Sequence, residues 1–160
     1  MDLRVLGCSG GIGAGRGTTS FLIDRDILLD AGSGVASLRL DEMSHIRHIF
    51  LTHSHLDHIL SIPLLVDSIF DRIDGSILIH AQPQTIEALK EHVFNGVIWP
   101  DFTRLPHPER PVLRFVPMAP GETVSLDERT FEMIPVHHLV PTVGYRVASP
   151  SGVFAFSGDT

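Results

Sequence analysis

Three histidines and an aspartate lie within six residues, in the segment His53-Ser54-His55-Leu56-Asp57-His58. Uncharged imidazole nitrogens and carboxylate oxygens are the ligands that zinc and neighbouring first-row divalent ions bind. The segment directly follows the apolar run Ile49-Phe50-Leu51, which is typical of a buried strand. Because sites in open α/β folds lie at the carboxyl ends of strands, the sequence predicts a metal site in this loop.

The spacing of these residues favours two ions over one. His53 and His55 alternate, so in an extended loop their side chains can point the same way and bind one ion. Asp57 and His58 come at the start of the following helix and can turn toward a second ion. Two metals about 4 Å apart clamp the attacking and leaving oxygens of a displacement at phosphorus or carbon. The sequence therefore predicts hydrolytic chemistry, with a solvated histidine-rich loop as the competing interpretation.

Several motifs carry a resemblance to a known family. The segment 53–58 matches the H-x-H-x-D-H signature of the metallo-β-lactamase-fold hydrolases, and the resemblance extends over the chain. It continues at 27–32, an apolar strand ending in Asp and Gly, and at 156–160, which resembles a later strand ending in a metal-bridging aspartate. Residues 138–146 resemble the third metal-ligand motif of the phosphodiesterase branch, which includes tRNA 3′-processing endonucleases. Residues 85–100 resemble class II 3′,5′-cyclic-nucleotide phosphodiesterases.

The resemblance implies an α/β chain with the metallo-β-lactamase fold, a four-layer αββα sandwich. Residues 1–160 are then the N-terminal part of one hydrolase domain. The ligands that it implies are His53, His55 and His138 for one ion, Asp57 and His58 for the second, and Asp159 as a bridge. Superfamily members supply one more histidine to the second ion from beyond the bridging aspartate. That ligand is therefore expected after Thr160.

The activity implied by the resemblance is hydrolysis of a small 3′,5′-cyclic nucleotide by a metal-bound hydroxide, with Asp57 orienting the nucleophile. Two divalent ions would be the cofactors, zinc by default, with iron, manganese or cobalt as alternatives. Three other interpretations stay open. They are a tRNA 3′-end endonuclease, another small-ester or lactam hydrolase on the same fold, and a metal-binding remnant without catalysis.

Four further residues are candidates for supporting roles, each with a structural alternative. By resemblance Asp30 orders the metal loop through hydrogen bonds, but it could equally be the N-cap of the next helix. Arg16 follows a run of glycines and could meet a phosphate oxygen, or the glycines could serve backbone conformation alone. Trp99 could form an apolar wall for a purine or pack the core. His137 either supports the neighbouring ligand His138 or turns away from the site.

Composition limits the class of protein and its partners. A chain of 160 residues that is 43% hydrophobic can build one substantial core. The net charge of −7 argues against a surface for long nucleic acid, so a small anionic substrate drawn in by bound cations is expected. Cys8 is the only cysteine, which excludes an internal disulfide and fits a reducing cytoplasm. Neither a signal peptide nor a membrane span is expected, and a homodimer is left open.

Hydrophobic periodicity and turn residues predict the elements that position these side chains. Helices are predicted over 34–40, 59–70 and 83–91, and strands over 3–6, 20–24, 27–30, 48–51, 76–79, 112–116, 122–125, 131–136, 143–148 and 153–156. The proline-rich segment 101–111 is expected to be a surface excursion near the metal site. His48 and His80 have no partner at ligand spacing and are expected to be surface or core histidines.

Overall fold

The computed structural model of the chain describes residues 1–160. Its strands are β1 (Leu3–Gly7), β2 (Ser20–Ile23), β3 (Ile27–Leu29), β4 (His48–Phe50), β5 (Ile77–Ala81), β6 (Pro106–His107), β7 (Arg110–Pro111), β8 (Leu113–Pro117), β9 (Thr123–Leu126), β10 (Arg129–Pro135), β11 (Val143–Ser149) and β12 (Gly152–Phe156). Its helices are a 3₁₀ helix (Ser33–Ser37), α1 (Leu40–Met43), α2 (Leu56–Ile59), α3 (Ser61–Ser68) and α4 (Pro83–His92). None of these helices has the length and apolarity needed to cross a membrane.

The larger sheet has six strands in the order β1-β2-β3-β4-β5-β8. The first three strands are antiparallel neighbours, whereas β3, β4, β5 and β8 are parallel. The predicted strands 20–24 and 27–30 correspond to β2 and β3, which form an antiparallel hairpin with its turn at residues 24–26. Because parallel strands share one carboxyl edge, the residues that follow β3 and β4 meet there. Asp30 and the loop beginning at Leu51 are therefore brought to the same place.

The smaller sheet is an antiparallel meander in the order β12-β11-β10-β9. Short turns at residues 127–128 and 150–151 join β9 to β10 and β11 to β12, and the longer segment 136–142 joins β10 to β11. In its register Tyr145 lies opposite both Met133 and Phe156. The inward side chains of this sheet thus form one apolar face, which must pack on another layer.

Two hydrophobic clusters hold the layers together. One cluster lies between the larger sheet and the helices and includes Leu28 and Ile49. The other lies between the two sheets and includes Ile27, Leu29 and Phe50. Successive strand residues point to opposite faces, so β3 contributes to both clusters, and all three of its residues are fully buried. The order of layers is helices, larger sheet and smaller sheet, and the α/β class is confirmed.

The predicted helices differ in detail from the observed ones. Residues 34–40 do not form one helix, because Leu38 is extended and separates the 3₁₀ helix from α1. The helix predicted from Ile59 begins three residues earlier, at Leu56, and is interrupted at Leu60. Two features account for the interruption. Pro63 has no amide proton to donate to the carbonyl of Ile59. Ala31 also takes two backbone groups of the helix, since its amide donates to the carbonyl of His58 at 2.7 Å and its carbonyl accepts from the amide of Ser61 at 2.9 Å. Because the helix begins earlier than predicted, Asp57 and His58 lie in the single turn of α2.

The segment 101–111 was expected near the metal site, and this prediction is wrong. The segment contains the short β6–β7 hairpin, which leads directly into β8. The amide of Ile77 donates to the carbonyl of Val112 at 2.8 Å, just where β5 begins. A connection that precedes a parallel strand must lie at the amino edge of the sheet. The hairpin is therefore at the end of the sheet opposite the loop that follows β4.

Candidate metal centre

The loop after β4 is held from both sheets. The amide of Leu51 donates to the carbonyl of His80 at 2.9 Å within the larger sheet. The amide of Val143, at the start of β11, donates to the carbonyl of Thr52 at 3.0 Å. These bonds fix the backbone that enters the histidine-rich segment. As a result Thr52 and His53 are fully buried although they lie in a loop.

Four donor side chains converge beside this loop. One ligand atom from each of His53, His55, His138 and Asp159 lies within 4.8 Å of all the others. Nε2 of His53 is 3.0 Å from Nδ1 of His55. Nε2 of His138 is 3.4 Å from the same Nδ1. The larger sheet supplies two of these donors and the smaller sheet the other two, so the cluster forms only when the sheets are stacked.

A second group of donors adjoins the first and shares one carboxylate with it. Nε2 of His58 lies 3.7 Å from Oδ2 of Asp57 and 3.4 Å from Oδ1 of Asp159. The other oxygen of Asp159, Oδ2, is 4.0 Å from Nε2 of His138. Asp159 thus directs one oxygen toward each group. This is the arrangement that the resemblance implies for a bridging ligand.

Asp30 is fully buried and holds the donor loop through hydrogen bonds to Thr52 and His58. Its Oδ1 accepts the amide proton of Thr52 at 2.8 Å, and its Oδ2 accepts the Thr52 hydroxyl at 2.8 Å. Nδ1 of His58 lies 2.7 Å from the same Oδ2. The 3₁₀ helix has Gly32 as its N-cap and no side-chain capping bond, so Asp30 does not act as a helix cap. Its contacts instead order the loop that carries the donors.

The hydrogen bonds also assign the protons on two imidazoles. The Thr52 hydroxyl gives its proton to Asp30, so Nδ1 of His53, 3.0 Å from that hydroxyl, must donate to it. His53 therefore keeps a free lone pair on Nε2. His58 donates from Nδ1 to Asp30, which leaves a lone pair on its Nε2. In both residues the lone pair faces the donor groups described above.

This donor set fits a divalent ion. Donor atoms of a tetrahedral site with bonds of about 2.0–2.1 Å lie about 3.4 Å apart. The imidazole separations of 3.0 and 3.4 Å are close to that value. Because His53 presents a lone pair to His55, the shortest contact joins two electron-rich nitrogens unless a cation or a proton lies between them. The residues present therefore have the donor types and spacing that a metal ion requires.

Burial and neighbouring charges set the protonation of the group. Burial, reinforced by His58 and His55, lowers the pKa of His53 to about 4, so that this ligand is uncharged at neutral pH. Burial alone would also lower the pKa of His58, but its bond to Asp30 and the charges of Asp57 and Asp159 raise it. Burial raises the pKa of Asp30 against the bonds from His58 and Thr52. The Asp30–His58 pair therefore holds its shared proton firmly.

The other candidates lie outside the donor cluster. Arg16 is exposed, and its side chain makes no hydrogen bond or ion pair. Trp99 packs against the cluster between the larger sheet and the helices, and its buried indole nitrogen has no partner. His137 is exposed, in contrast to its half-buried neighbour His138. None of the three side chains makes a hydrogen bond or an ion pair with a donor of the cluster.

Sequence reasoning missed two features of the sheet that carries the centre. Thr52 links Asp30 to His53, yet a threonine between a strand and a histidine has no distinctive pattern. Its position directly before the first histidine is the one available indication. His48 and His80 pair through their rings, with Nδ1 of His48 3.0 Å from Nε2 of His80. Their pairing depends on the register of β4 and β5, which sequence periodicity does not specify.

Comparison with known proteins agrees with this geometry. A family model described as "Beta-lactamase superfamily domain" matches residues 25–160. The chain is 30% identical over 192 aligned residues to a probable 3′,5′-cyclic-nucleotide phosphodiesterase from Yersinia pestis, covering all of this chain and 54% of that protein. It is 34% identical over 118 residues to a ribonuclease Z from Haloferax volcanii, covering 69% of this chain and 37% of that protein. The chain thus spans about half, or less, of the length of these relatives.

A solved structure supports the fold independently. The metallo-beta-lactamase fold protein YhfI from Bacillus subtilis superposes with a TM-score of 0.75 at 20% identity, covering 99% of this chain and 62% of that one. At this level of identity the similarity concerns the fold, which includes both stacked sheets.

Proposed function

The chain belongs to the beta-lactamase superfamily and has the metallo-β-lactamase fold, and on that basis we propose that it is a metal-dependent phosphodiesterase acting on a small 3′,5′-cyclic nucleotide. The observation that carries the proposal is the pair of donor groups sharing Asp159. Two adjacent metal sites are suited to displacement at phosphorus, because both the attacking and the leaving oxygen need stabilisation. The 30% identity to the Yersinia pestis relative, along the whole chain, supports the choice of substrate.

Each donor has a defined part in this proposal. His53, His55 and His138 would hold one ion, Asp57 and His58 the other, and Asp159 would bridge them. Divalent ions at these positions would lower the pKa of water and neutralise charge on the phosphate oxygens. The chain's own residues keep the ligands oriented: Thr52 and Asp30 fix His53 and His58 in the tautomers that present Nε2. This fixed second layer of hydrogen bonds keeps the site preorganised.

Exposure indicates the side from which substrate enters. The side chains of Asp57 and Asp159 are 36% and 44% exposed, whereas that of His58 is 1% exposed. A substrate phosphate would therefore approach over the two carboxylates, with the buried imidazoles behind the ions. Asp57 would orient the attacking water by accepting a hydrogen bond from it. We assign it that role.

The main competing function is tRNA 3′-end processing. The ribonuclease Z relative from Haloferax volcanii is 34% identical over the part that it shares with this chain. Against it stands the net charge of −7, because a protein that holds a long nucleic acid needs a basic surface. The two functions share the metal centre and differ in the size of the substrate. A direct comparison of substrates can therefore separate them.

The test is an assay of the full chain supplied with Zn²⁺ or Mn²⁺. Three substrates are compared: 3′,5′-cyclic AMP, bis(p-nitrophenyl) phosphate and a precursor tRNA with a 3′ trailer. We expect turnover of the first two and loss of both in His55→Ala, with metal content measured by elemental analysis. His92→Ala, which alters an exposed histidine at the end of α4, is the matched control.

The outcomes separate the alternatives. Cleavage of the tRNA without turnover of the cyclic nucleotide would favour the endonuclease. Turnover of the nitrophenyl ester alone would leave another ester hydrolase. Metal bound without any turnover would point to a metal-binding remnant. Absence of bound metal would overturn the proposal, because the proposed activity depends on metal ions.

A further inference from the structure

A basic cavity lies at the end of the larger sheet opposite the metal centre. It encloses about 420 Å³ and is lined by the β6–β7 hairpin together with the residues before β5 and β8. Its charged and polar lining includes Asp74, His107, Arg110 and Arg114. We infer that this cavity binds a small molecule carrying a phosphate group. The inference is independent of the proposed hydrolase activity.

The hairpin presents two of the polar side chains together. His107 lies directly opposite Arg110 in the register of β6 and β7, and Pro106 lies opposite Pro111. Prolines at the ends of the hairpin restrict its backbone, since each fixes φ. Opposed residues in an antiparallel pair have Cβ atoms about 5 Å apart. The imidazole and the guanidinium can therefore reach one ligand group.

Arg110 is a cation without a partner. Its side chain makes no hydrogen bond and no ion pair, although it has an acidic neighbour in the cavity, Asp74. A guanidinium left unpaired in a concave site offers its full set of donors to a ligand. Phosphate is the group that such a planar fork binds well.

Arg114 is already oriented in the same cavity. Its Nε donates to the hydroxyl of Ser76 at 3.2 Å, and its Nη2 donates to the carbonyl of Glu109 at 3.0 Å. The Ser76 hydroxyl in turn donates to the carbonyl of Pro111. These bonds hold the guanidinium and leave Nη1 free. A second donor in a fixed position reduces the entropy lost when an anion binds.

The remaining lining suggests what accompanies the phosphate. Phe70, Ile73 and Val112 form an apolar wall on one side of the cavity. A volume of about 420 Å³ falls within the range of small-molecule sites, roughly 300–1,000 Å³. Two arginines against one aspartate give the cavity a net positive charge, opposite in sign to that of the whole chain. A phosphate monoester with an apolar or aromatic portion matches this lining.

The cavity is separate from the metal centre. β5 is five residues long, so its two ends lie roughly 15 Å apart. The donor cluster is at the carboxyl edge of the sheet, and the cavity adjoins Ser76 and Pro111 at the amino edge. One ligand of small size cannot reach both. Binding at the cavity can therefore be measured with the metal centre disabled.

The experiment is calorimetric titration of the full chain, freed of metal with EDTA and carrying His55→Ala. The probes are AMP, inorganic phosphate and adenosine. We expect AMP to bind, phosphate to bind more weakly, and adenosine to show no saturable binding. Arg110→Gln should weaken AMP binding about tenfold or more, since a charge-assisted bond is lost. The substitution removes no side-chain hydrogen bond or ion pair of the folded chain and changes an exposed residue, so folding should be preserved.

Arg104→Gln is the matched control, because Arg104 is an exposed arginine of the same connection outside the cavity. It should leave the affinity for AMP unchanged. Equal loss of affinity in both variants would show a nonspecific charge effect and overturn the inference. The inference would equally be overturned by AMP binding that Arg110→Gln does not alter. The inference would also be overturned if no binding of AMP were detected at AMP concentrations up to about 10 mM. None of these results bears on hydrolysis at the metal centre.

Discussion

Asp30 and Thr52 determine how two histidines present their nitrogens. Asp30 accepts from His58 at 2.7 Å and from Thr52 at 2.8 Å, and all three side chains are buried. An asparagine at position 30 has a similar shape, but its amide group donates where the carboxylate accepts. His58 would then lose the partner of its Nδ1 proton and favour the tautomer with a proton on Nε2. That nitrogen could no longer bind an ion.

We therefore expect Asp30→Asn to weaken metal binding about 10–100-fold, chiefly at the site that includes His58. Titration with a chromogenic chelator measures the affinity, and elemental analysis should show a lower metal content than in the unmodified chain. Asp41→Asn, at an exposed aspartate of α1, should bind metal as the unmodified chain does. Unchanged affinity in a folded Asp30→Asn variant would show that the hydrogen bond does not position His58.

His80 makes stability depend on pH. Its ring is 3% exposed and stacks on Phe50 with 4.3 Å between ring centroids. Burial, with a smaller effect of His48, lowers the pKa of His80 from 6.5 to about 4. The unfolded chain then binds a proton at a pH where the folded chain does not. The free energy of unfolding should therefore fall as the pH drops from about 6.5 to about 4, by up to about 3 kcal/mol from this group.

The measurement is urea unfolding of the metal-free chain at several pH values in that window. His80→Gln should be less stable at neutral pH, because the ring stack is lost, but its stability should fall less steeply toward acid pH. His92→Gln changes an exposed histidine and should keep the steeper slope. If the slopes of His80→Gln and the unmodified chain coincide, the buried imidazole is not the source of the pH dependence.

At the scale of elements, the strands could be predicted well from the sequence, whereas one helical segment and one connection could not. β2, β3 and β10 to β12 have clear apolar patterns and turn residues, and each was placed within a few residues. A single helix over 34–40 was the wrong prediction, because the apolar residues of this segment belong to a 3₁₀ helix and to a separate short α-helix. The prediction that segment 101–111 lies near the metal site is wrong for a different reason. The edge of the sheet at which this segment lies depends on the direction of β5 and β8, which pair in parallel. Sequence patterns do not specify that direction.

Close packing of backbone explains the glycine at position 34 in the 3₁₀ helix. A Cβ on Gly34 would lie 2.6 Å from the amide nitrogen of Gly7 and 2.4 Å from the hydroxyl oxygen of Ser20. The helix therefore packs directly on the start of the glycine-rich loop. We expect Gly34→Ala to lower the free energy of unfolding by at least about 2 kcal/mol, since backbone atoms must move. Thermal or urea denaturation measures the change.

Gly10→Ala is the matched control for this prediction. Nothing lies within 4 Å of a Cβ at Gly10. Its φ is not positive, so alanine fits there without strain. Its effect should stay within about 0.5 kcal/mol, with a small gain expected from the less flexible unfolded chain. A Gly34→Ala variant as stable as Gly10→Ala would show that the 3₁₀ helix can shift away from the loop without cost.

At the scale of the whole molecule, the two sheets are joined at both ends. At the amino edge Arg129 of β10 donates to Asp26 of the β2–β3 turn at 2.7 and 2.9 Å. At the carboxyl edge the hydroxyl of Tyr145 donates to the carbonyl of Leu51 at 3.1 Å. The histidine pair 53 and 55 was identifiable from its spacing alone. The approach of His138 and Asp159 depends on this stacking, so from the sequence it could be reached only through the family resemblance.

Because the donors come from both sheets, binding of metal should stabilise the fold as a whole. An ion that binds only the folded chain adds about 2.7 kcal/mol at a concentration of about 100 times its Kd. For a chain of 160 residues this corresponds to a rise in Tm of roughly 5–10 °C. We expect Zn²⁺ to raise the Tm in a concentration-dependent way and EDTA to reverse the rise, as followed by circular dichroism.

The variant His138→Ala separates stabilisation across the sheets from binding within the loop. His53 and His55 remain in this variant, but the imidazole that the smaller sheet contributes is lost. Zn²⁺ should then raise the Tm by much less than in the unmodified chain, whereas His92→Ala should retain the full rise. An undiminished rise in His138→Ala would mean that the larger sheet binds the ion without its partner. In that case the centre would already exist before the sheets dock, and metal could bind early in folding.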